Sequence, residues 1–150
     1  MPGYKAHFGF GMLLTGLGVG VAIWLEWWKP DLSQAFTAFI LGVLFALFPD
    51  LDTDSKGQNI FYGLLAALDL AFLIKGLYKW AAILGFLAML PALGRHRGWT
   101  HTWWAMLLAP FILLVLPFLF FNTPLSFLLP YYVAAVLGYF SHLLLDRKLV

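Results

Sequence analysis

The chain contains no cysteine, so a disulfide framework and a thiolate zinc site are both excluded, and any bound metal must be held by imidazole or carboxylate. Charge is also scarce: Asp, Glu, Lys and Arg together make up 11% of the 150 residues. Hydrophobic residues make up 63%, aromatics 19%, and mean hydropathy is +0.88, which leaves too few polar side chains to cover a water-soluble core. The composition is that of an integral membrane protein. The net charge of +2 is not gathered into a basic patch, so no nucleic-acid partner is expected. No Ser/Gly-rich linker, low-complexity tract or internal repeat divides the chain, and a single domain over residues 1–150 is expected.

What the chain does have is length in its apolar runs. A spanning helix needs roughly 20 mostly apolar residues, and residues 8–28 and 32–48 meet that need. The first run follows Lys5 but ends in Glu26-Trp27-Trp28-Lys29 without a small-residue cleavage site, so it is expected to stay as a helix rather than act as a signal peptide. The second run stops at Pro49, which a helix does not easily continue through. From Thr102 to Ser141 no residue carries a formal charge, too long a stretch for one span, and Asn122-Thr123-Pro124 divides it into two. Between these pairs lie two shorter apolar pieces, 58–75 and 78–93, which form either two short spans or a shallow hairpin. The expected fold is an all-α polytopic bundle of about six segments.

Only four histidines are present, and all lie within or beside short motifs that also hold most of the aspartates. His7 opens the first segment; Pro49-Asp50-Leu51-Asp52-Thr53-Asp54 follows the second; His96-Arg97-Gly98-Trp99-Thr100-His101 precedes the fifth; and His142 and Asp146 end the sixth. Counting crossings puts every one of these at the same face of the membrane, whether the middle pieces span or turn back. That face carries Lys5, Lys56, Arg95, Arg97, Arg147 and Lys148 against Lys29, Lys75 and Lys79 opposite, so the positive-inside rule assigns it, with both termini, to the cytoplasm. Trp99, Trp103 and Trp104 at one end and Trp24, Trp27 and Trp28 at the other suit interfacial belts.

His142 and Asp146 are four apart on a helix, one turn along one face, and can hold an ion or simply hydrogen-bond to each other. Asp50, Asp52 and Asp54 alternate past a helix end, where close carboxylates repel unless a cation neutralises them; the alternative is a solvated acidic loop, with Asp54 as a cap. His96 and His101 bracket Gly98, which permits a tight turn, and Thr100 is expected to cap the fifth helix. Arg95 and Arg97 have planar donor forks suited to phosphate, or serve as ordinary cytoplasmic anchors. His7 alone reads as an interface residue, and crossing parity brings it into the ligand set. Asp69, inside the third segment, is expected to face a neighbouring helix or Lys75 as a structural group. Gly16-Leu17-Gly18-Val19-Gly20 has the spacing of a helix-packing face. His-Glu-x-x-His is absent, and Ser141 and His142, about 100° apart on a helix, make a poor nucleophile–base pair.

Taken together, His7, Pro49-Asp50-x-Asp52, His96-Arg97-Gly98-x-Thr100-His101 and Gly138-Tyr139-x-Ser141-His142-x-x-x-Asp146 resemble the membrane-bound metal-dependent hydrolase family, the YdjM-like group, over residues 7–146. The motif set is also similar to zinc-dependent phospholipase C and a related single-strand nuclease, all-helical phosphodiesterases with His-x-x-x-Asp pairs. Those enzymes are soluble, use more histidines, and take a ligand from an N-terminal tryptophan that this chain lacks.

Seven candidate ligands (His7, Asp50, Asp52, His96, His101, His142 and Asp146) exceed the needs of one tetrahedral zinc, so two divalent ions are expected, with zinc suited to the imidazoles and manganese or iron as alternatives. The expected activity is hydrolysis of a phosphoester such as a phospholipid or lipid phosphate. Arg95 and Arg97 would hold the phosphate, and Asp52 or Asp54 would take the proton of the attacking water. The rival expectations are a metal or proton transporter and a non-catalytic, metal-stabilised membrane protein. A transporter site usually lies near the bilayer midplane, whereas these ligands gather at helix ends.

Overall fold

The computed structural model describes residues 4–52, 56–89 and 99–146. Among them there is no strand. The elements are α1 (Tyr4–Trp24), α2 (Leu32–Leu47), α3 (Lys56–Ile74), α4 (Tyr78–Met89), α5 (Trp103–Phe121) and α6 (Leu125–Leu145), with 3-10 turns at Phe48–Asp52 and Trp99–His101.

Four helices are long and apolar enough to cross a membrane: α1, α2 with its 3-10 extension to Leu51, α5 and α6. Helix α3 contributes a shorter apolar stretch, Phe61–Ile74. Helix α4 has 12 residues, about 18 Å at ~1.5 Å per residue against a hydrocarbon core of ~30 Å. It packs back along α3.

Helix ends follow local chemistry. Asp31 caps α2 through a full capping box: its Oδ1 accepts from Gln34 N at 2.8 Å, while Asp31 N donates to Gln34 Oε1 at 3.0 Å. Thr102, not Thr100, caps α5, its Oγ1 accepting from Ala105 N at 3.4 Å. Thr100 and His101 instead belong to the preceding 3-10 turn, both buried. Helix α5 ends at Asn122 in the left-handed region, φ 50°, and Pro124 opens α6.

The bundle is held by three helices, α1, α2 and α6, in mutual contact. Small residues let their backbones approach. A Cβ on Gly138 would lie 1.8 Å from the Gly42 carbonyl oxygen, and one on Gly11 would lie 2.4 Å from the Ala46 Cβ. Hydrogen-only side chains are therefore required where α2 crosses α6, as in membrane bundles whose cohesion comes from close packing. The expected Gly16–Gly20 face is only partly used. Gly16 meets Phe39 and Gly18 abuts Leu137, whereas nothing lies within 4 Å of a Cβ on Gly20; Gly11, Thr15 and Gly18 form a packed stripe at helical spacing.

Apolar side chains cover the outside. Leu13, Leu17, Leu119 and Leu129 are each more than half exposed, as lipid-facing residues should be. Trp24 and Trp27 at one end and Trp103 at the other are the most exposed tryptophans, at the positions of two interfacial belts. Asp69 faces α4 in a cleft of about 260 Å³ lined also by Tyr62, Leu65 and Leu84, and no ion pair with Lys75 is found among the described residues.

Candidate metal centre

Five side chains from four segments converge at one end of the bundle. His7 lies near the start of α1, Asp50 in the 3-10 turn after α2, His101 in the turn before α5, and His142 and Asp146 at the end of α6. Within it, His7, Asp50 and His142 form one group and His101, His142 and Asp146 another, each with ligand atoms within 4.8 Å of one another. Asp54, Arg95, His96 and Arg97, together with the side chain of Asp52, lie outside the described residues.

Burial grades across the cluster. His142 is fully buried, and His7 and His101 nearly so. The Asp146 side chain is 4% exposed and that of Asp50 is 22% exposed, so Asp50 marks the side open to solvent. His142 Nε2 lies 3.5 Å from both Asp50 Oδ1 and Asp146 Oδ2. His101 Nε2 lies 3.7 Å and 3.6 Å from the same two oxygens. These gaps are long for hydrogen bonds. They are close to the edge, roughly 3.3–3.4 Å, of a tetrahedron whose metal–ligand bonds are about 2.0–2.1 Å.

Three buried atoms of the cluster, His7 Nδ1, His142 Nε2 and Asp146 Oδ1, have no hydrogen-bond partner. Buried polar atoms are normally satisfied, so the donor set and its spacing fit a divalent ion held by nitrogen and oxygen.

The surrounding residues aim the ligands. His142 Nδ1 donates to the Ala46 carbonyl at 2.8 Å, which leaves the Nε2 lone pair directed at the cluster. Pro49, three residues after Ala46, has no N–H to offer that carbonyl in the 3-10 turn. His101 Nδ1 lies 3.2 Å from Thr100 Oγ1, and the fully buried Tyr139 donates its hydroxyl to the Thr100 carbonyl. Phe48 packs against Phe45, Phe61, Trp99 and Tyr139, making an aromatic floor beneath the turn. Tyr139 and Thr100 stand in the sequence motifs, but their supporting role was not legible there, and Ala46 carried no signal at all; which carbonyl a buried hydroxyl or imidazole reaches is set by packing. Ser141 donates to its own helix at Gly138 O, 2.6 Å away, and takes no part in a nucleophile–base pair.

Tyr139→Phe is expected to keep the fold, at a cost of about 1 kcal/mol for the lost hydrogen bond. It should also weaken metal binding by roughly tenfold, the usual effect of losing a residue that orients a ligand. Competition against a chelator of known affinity measures this; an unchanged dissociation constant would show that the Thr100 tether does not position His101.

The fold and the cluster together define a polytopic helical membrane protein with a buried His–Asp site at one end of its bundle. The family model of the YdjM inner membrane protein matches residues 1–147, and the chain belongs to that family. No curated protein and no solved structure matches it.

Proposed function

We propose that the protein is a metal-dependent hydrolase of a lipid phosphoester, working at the cytoplasmic surface of the membrane. The observation that carries this reading is the convergence of His7, Asp50, His101, His142 and Asp146 at the bundle end, with ligand spacings near a tetrahedral edge. Divalent ions bound there, zinc by preference and two in number, supply Lewis acidity: an activated water at neutral pH and positive charge beside the phosphoester oxygens.

The chain's own residues do the rest. The three imidazoles and two carboxylates hold and orient, and the apolar packing of α1, α2 and α6 closes the site from below. Asp52 or Asp54 takes the proton from water as its oxygen attacks phosphorus. The ester P–O bond then breaks and the leaving alkoxide takes up the proton that the aspartate accepted. Arg95 and Arg97 hold the phosphate through paired N–H donors whose grip tightens as charge develops. A substrate presented at headgroup level suits a site at helix ends flanked by exposed Trp103 and Trp104.

Transport is less well supported, because the centre of the α1–α2–α6 contact beneath the cluster is filled by backbone against backbone at Gly42 and Gly138. The test is purified protein in detergent or liposomes, given zinc or manganese and a panel of phospholipids and polyprenyl phosphates, with released phosphate or headgroup measured. Arg97→Ala is expected to lower turnover more than about tenfold with metal content unchanged, and Arg97→Lys to recover only part, since a point charge does not reproduce a bidentate fork. No hydrolysis across the panel, together with metal flux into sealed vesicles that depends on His142 and Asp146, would replace this reading with transport.

A further inference from the structure

The orientation of the three histidine rings constrains which of them can share an ion. An imidazole nitrogen offers its lone pair in the plane of its ring, so two histidines on one metal must have ring planes that meet near it. His7 and His142 are stacked, with centroids 3.9 Å apart and planes 15° apart. Nearly parallel planes separated by a stacking gap do not meet within the ~2 Å reach of a metal–nitrogen bond. His101 and His142 lie edge to face, at 70° with centroids 5.4 Å apart, and their planes do cross. The other nitrogen of His142 is committed to the Ala46 carbonyl, so this ring has a single nitrogen to give.

The carboxylate of Asp146 splits in the same way. Its Oδ2 faces His101 and His142 at 3.6 Å and 3.5 Å, whereas its Oδ1 faces His7 Nε2 at 3.4 Å. That second oxygen is buried without a hydrogen-bond partner.

We infer that the site is two metal positions joined by the Asp146 carboxylate: a cage formed by Asp50, His101, His142 and Asp146 Oδ2, and a separate position at His7 Nε2 and Asp146 Oδ1. The inference rests on the metal-dependent reading above and deepens it by assigning ligands to each position. With His101, His142 and Asp146 already grouped and Asp50 Oδ1 3.5 Å from His142 Nε2, the cage would be the tighter position, since four protein ligands leave a tetrahedral ion no open site. The His7 position, with Asp50 also within 4.8 Å of His7 on the side open to solvent, keeps coordination room for water and a phosphate oxygen.

The test is metal content, read without any substrate. Detergent-purified protein is loaded with zinc, passed through a desalting column and measured by elemental mass spectrometry, and in parallel is loaded with cobalt(II) to report tetrahedral coordination by its visible absorption. Wild type is expected to hold about two ions per chain, one released by mild chelation well before the other. His7→Gln should lose the weaker ion and keep the tetrahedral cobalt spectrum. His142→Gln should lose that spectrum. Circular dichroism on each variant establishes that the helices are intact, and for any variant that fails this check, graded chelation of wild type with the cobalt spectrum as readout gives the answer instead. A single ion in wild type, or a His7→Gln protein that is folded and has lost the tetrahedral spectrum, would overturn the division. Two ions with this pattern but no hydrolysis of any lipid would leave the division standing and remove only the hydrolase reading.

Discussion

Gly138→Val is expected to impair metal binding severely although Gly138 is not a candidate ligand. A Cβ at this position would lie 1.8 Å from the carbonyl oxygen and 2.6 Å from the carbonyl carbon of Gly42. Both are backbone atoms, so no side-chain rotation relieves the clash and α2 and α6 must move apart. Asp50 follows the end of α2, while His142 and Asp146 lie on α6 beyond the crossing, so separating the helices widens the 3.5 Å gap between Asp50 Oδ1 and His142 Nε2. Coordination bonds tolerate only a few tenths of an ångström. The expected result is a loss of metal affinity of at least about a hundredfold and a loss of stability of about 3 kcal/mol, the upper range for overpacking. Gly20→Val is the control: nothing lies within 4 Å of a Cβ there, and its metal affinity should match that of wild type. Isothermal titration and thermal unfolding in detergent measure both quantities. Wild-type affinity in a folded Gly138→Val protein would show that the α2–α6 contact does not set the site.

On the proposed hydrolase reading, chelation is expected to remove turnover by more than about a thousandfold, since the metal would supply both the activated water and the charge opposing the phosphoester, while leaving the helices in place. Their backbone hydrogen bonds are internal to each segment and need no ion. Tertiary stability should nevertheless fall. Without metal the cluster retains buried, unpartnered atoms on His7, His142 and Asp146, and a ligand present at a thousand times its dissociation constant stabilises the folded state by about 4 kcal/mol. Circular dichroism should therefore show unchanged helicity at low temperature and an earlier melt in chelator, reversed by zinc. A melt indifferent to chelator and to added zinc would mean that the His–Asp cluster does not hold a metal.

Much of the candidate site was legible because its residue types are so rare in this chain. With four histidines among 150 residues, and helices that alternate in direction, the end of the bundle at which His7, His101 and His142 emerge follows from counting segments. His7 shows the value of that count: locally it has no signal, yet it lies 3.4 Å from Asp146, at the other end of the chain. The details of the fifth helix were less legible. Thr100 and Thr102 are both competent caps by residue type, and the choice of Thr102 depends on Thr100 being drawn into the buried turn, where Tyr139 binds its carbonyl and His101 its hydroxyl.

Length and hydropathy are sums over neighbouring residues, and so the membrane class, the helical content, most of the described helix boundaries to within a few residues and the gathering of His7, Asp50, His101, His142 and Asp146 at one end of the bundle could be read from the sequence. Tertiary structure alone decided how closely α2 and α6 approach and how the imidazole rings are turned. Those features depend on pairs such as His142 and Ala46, 96 positions apart, whose contact arises from the shape of the packed helices and leaves no periodic trace in the chain. The stack of His7 on His142 belongs to this second kind: composition can supply the rings, but only packing sets the angle between their planes, and that angle determines which of them can share an ion.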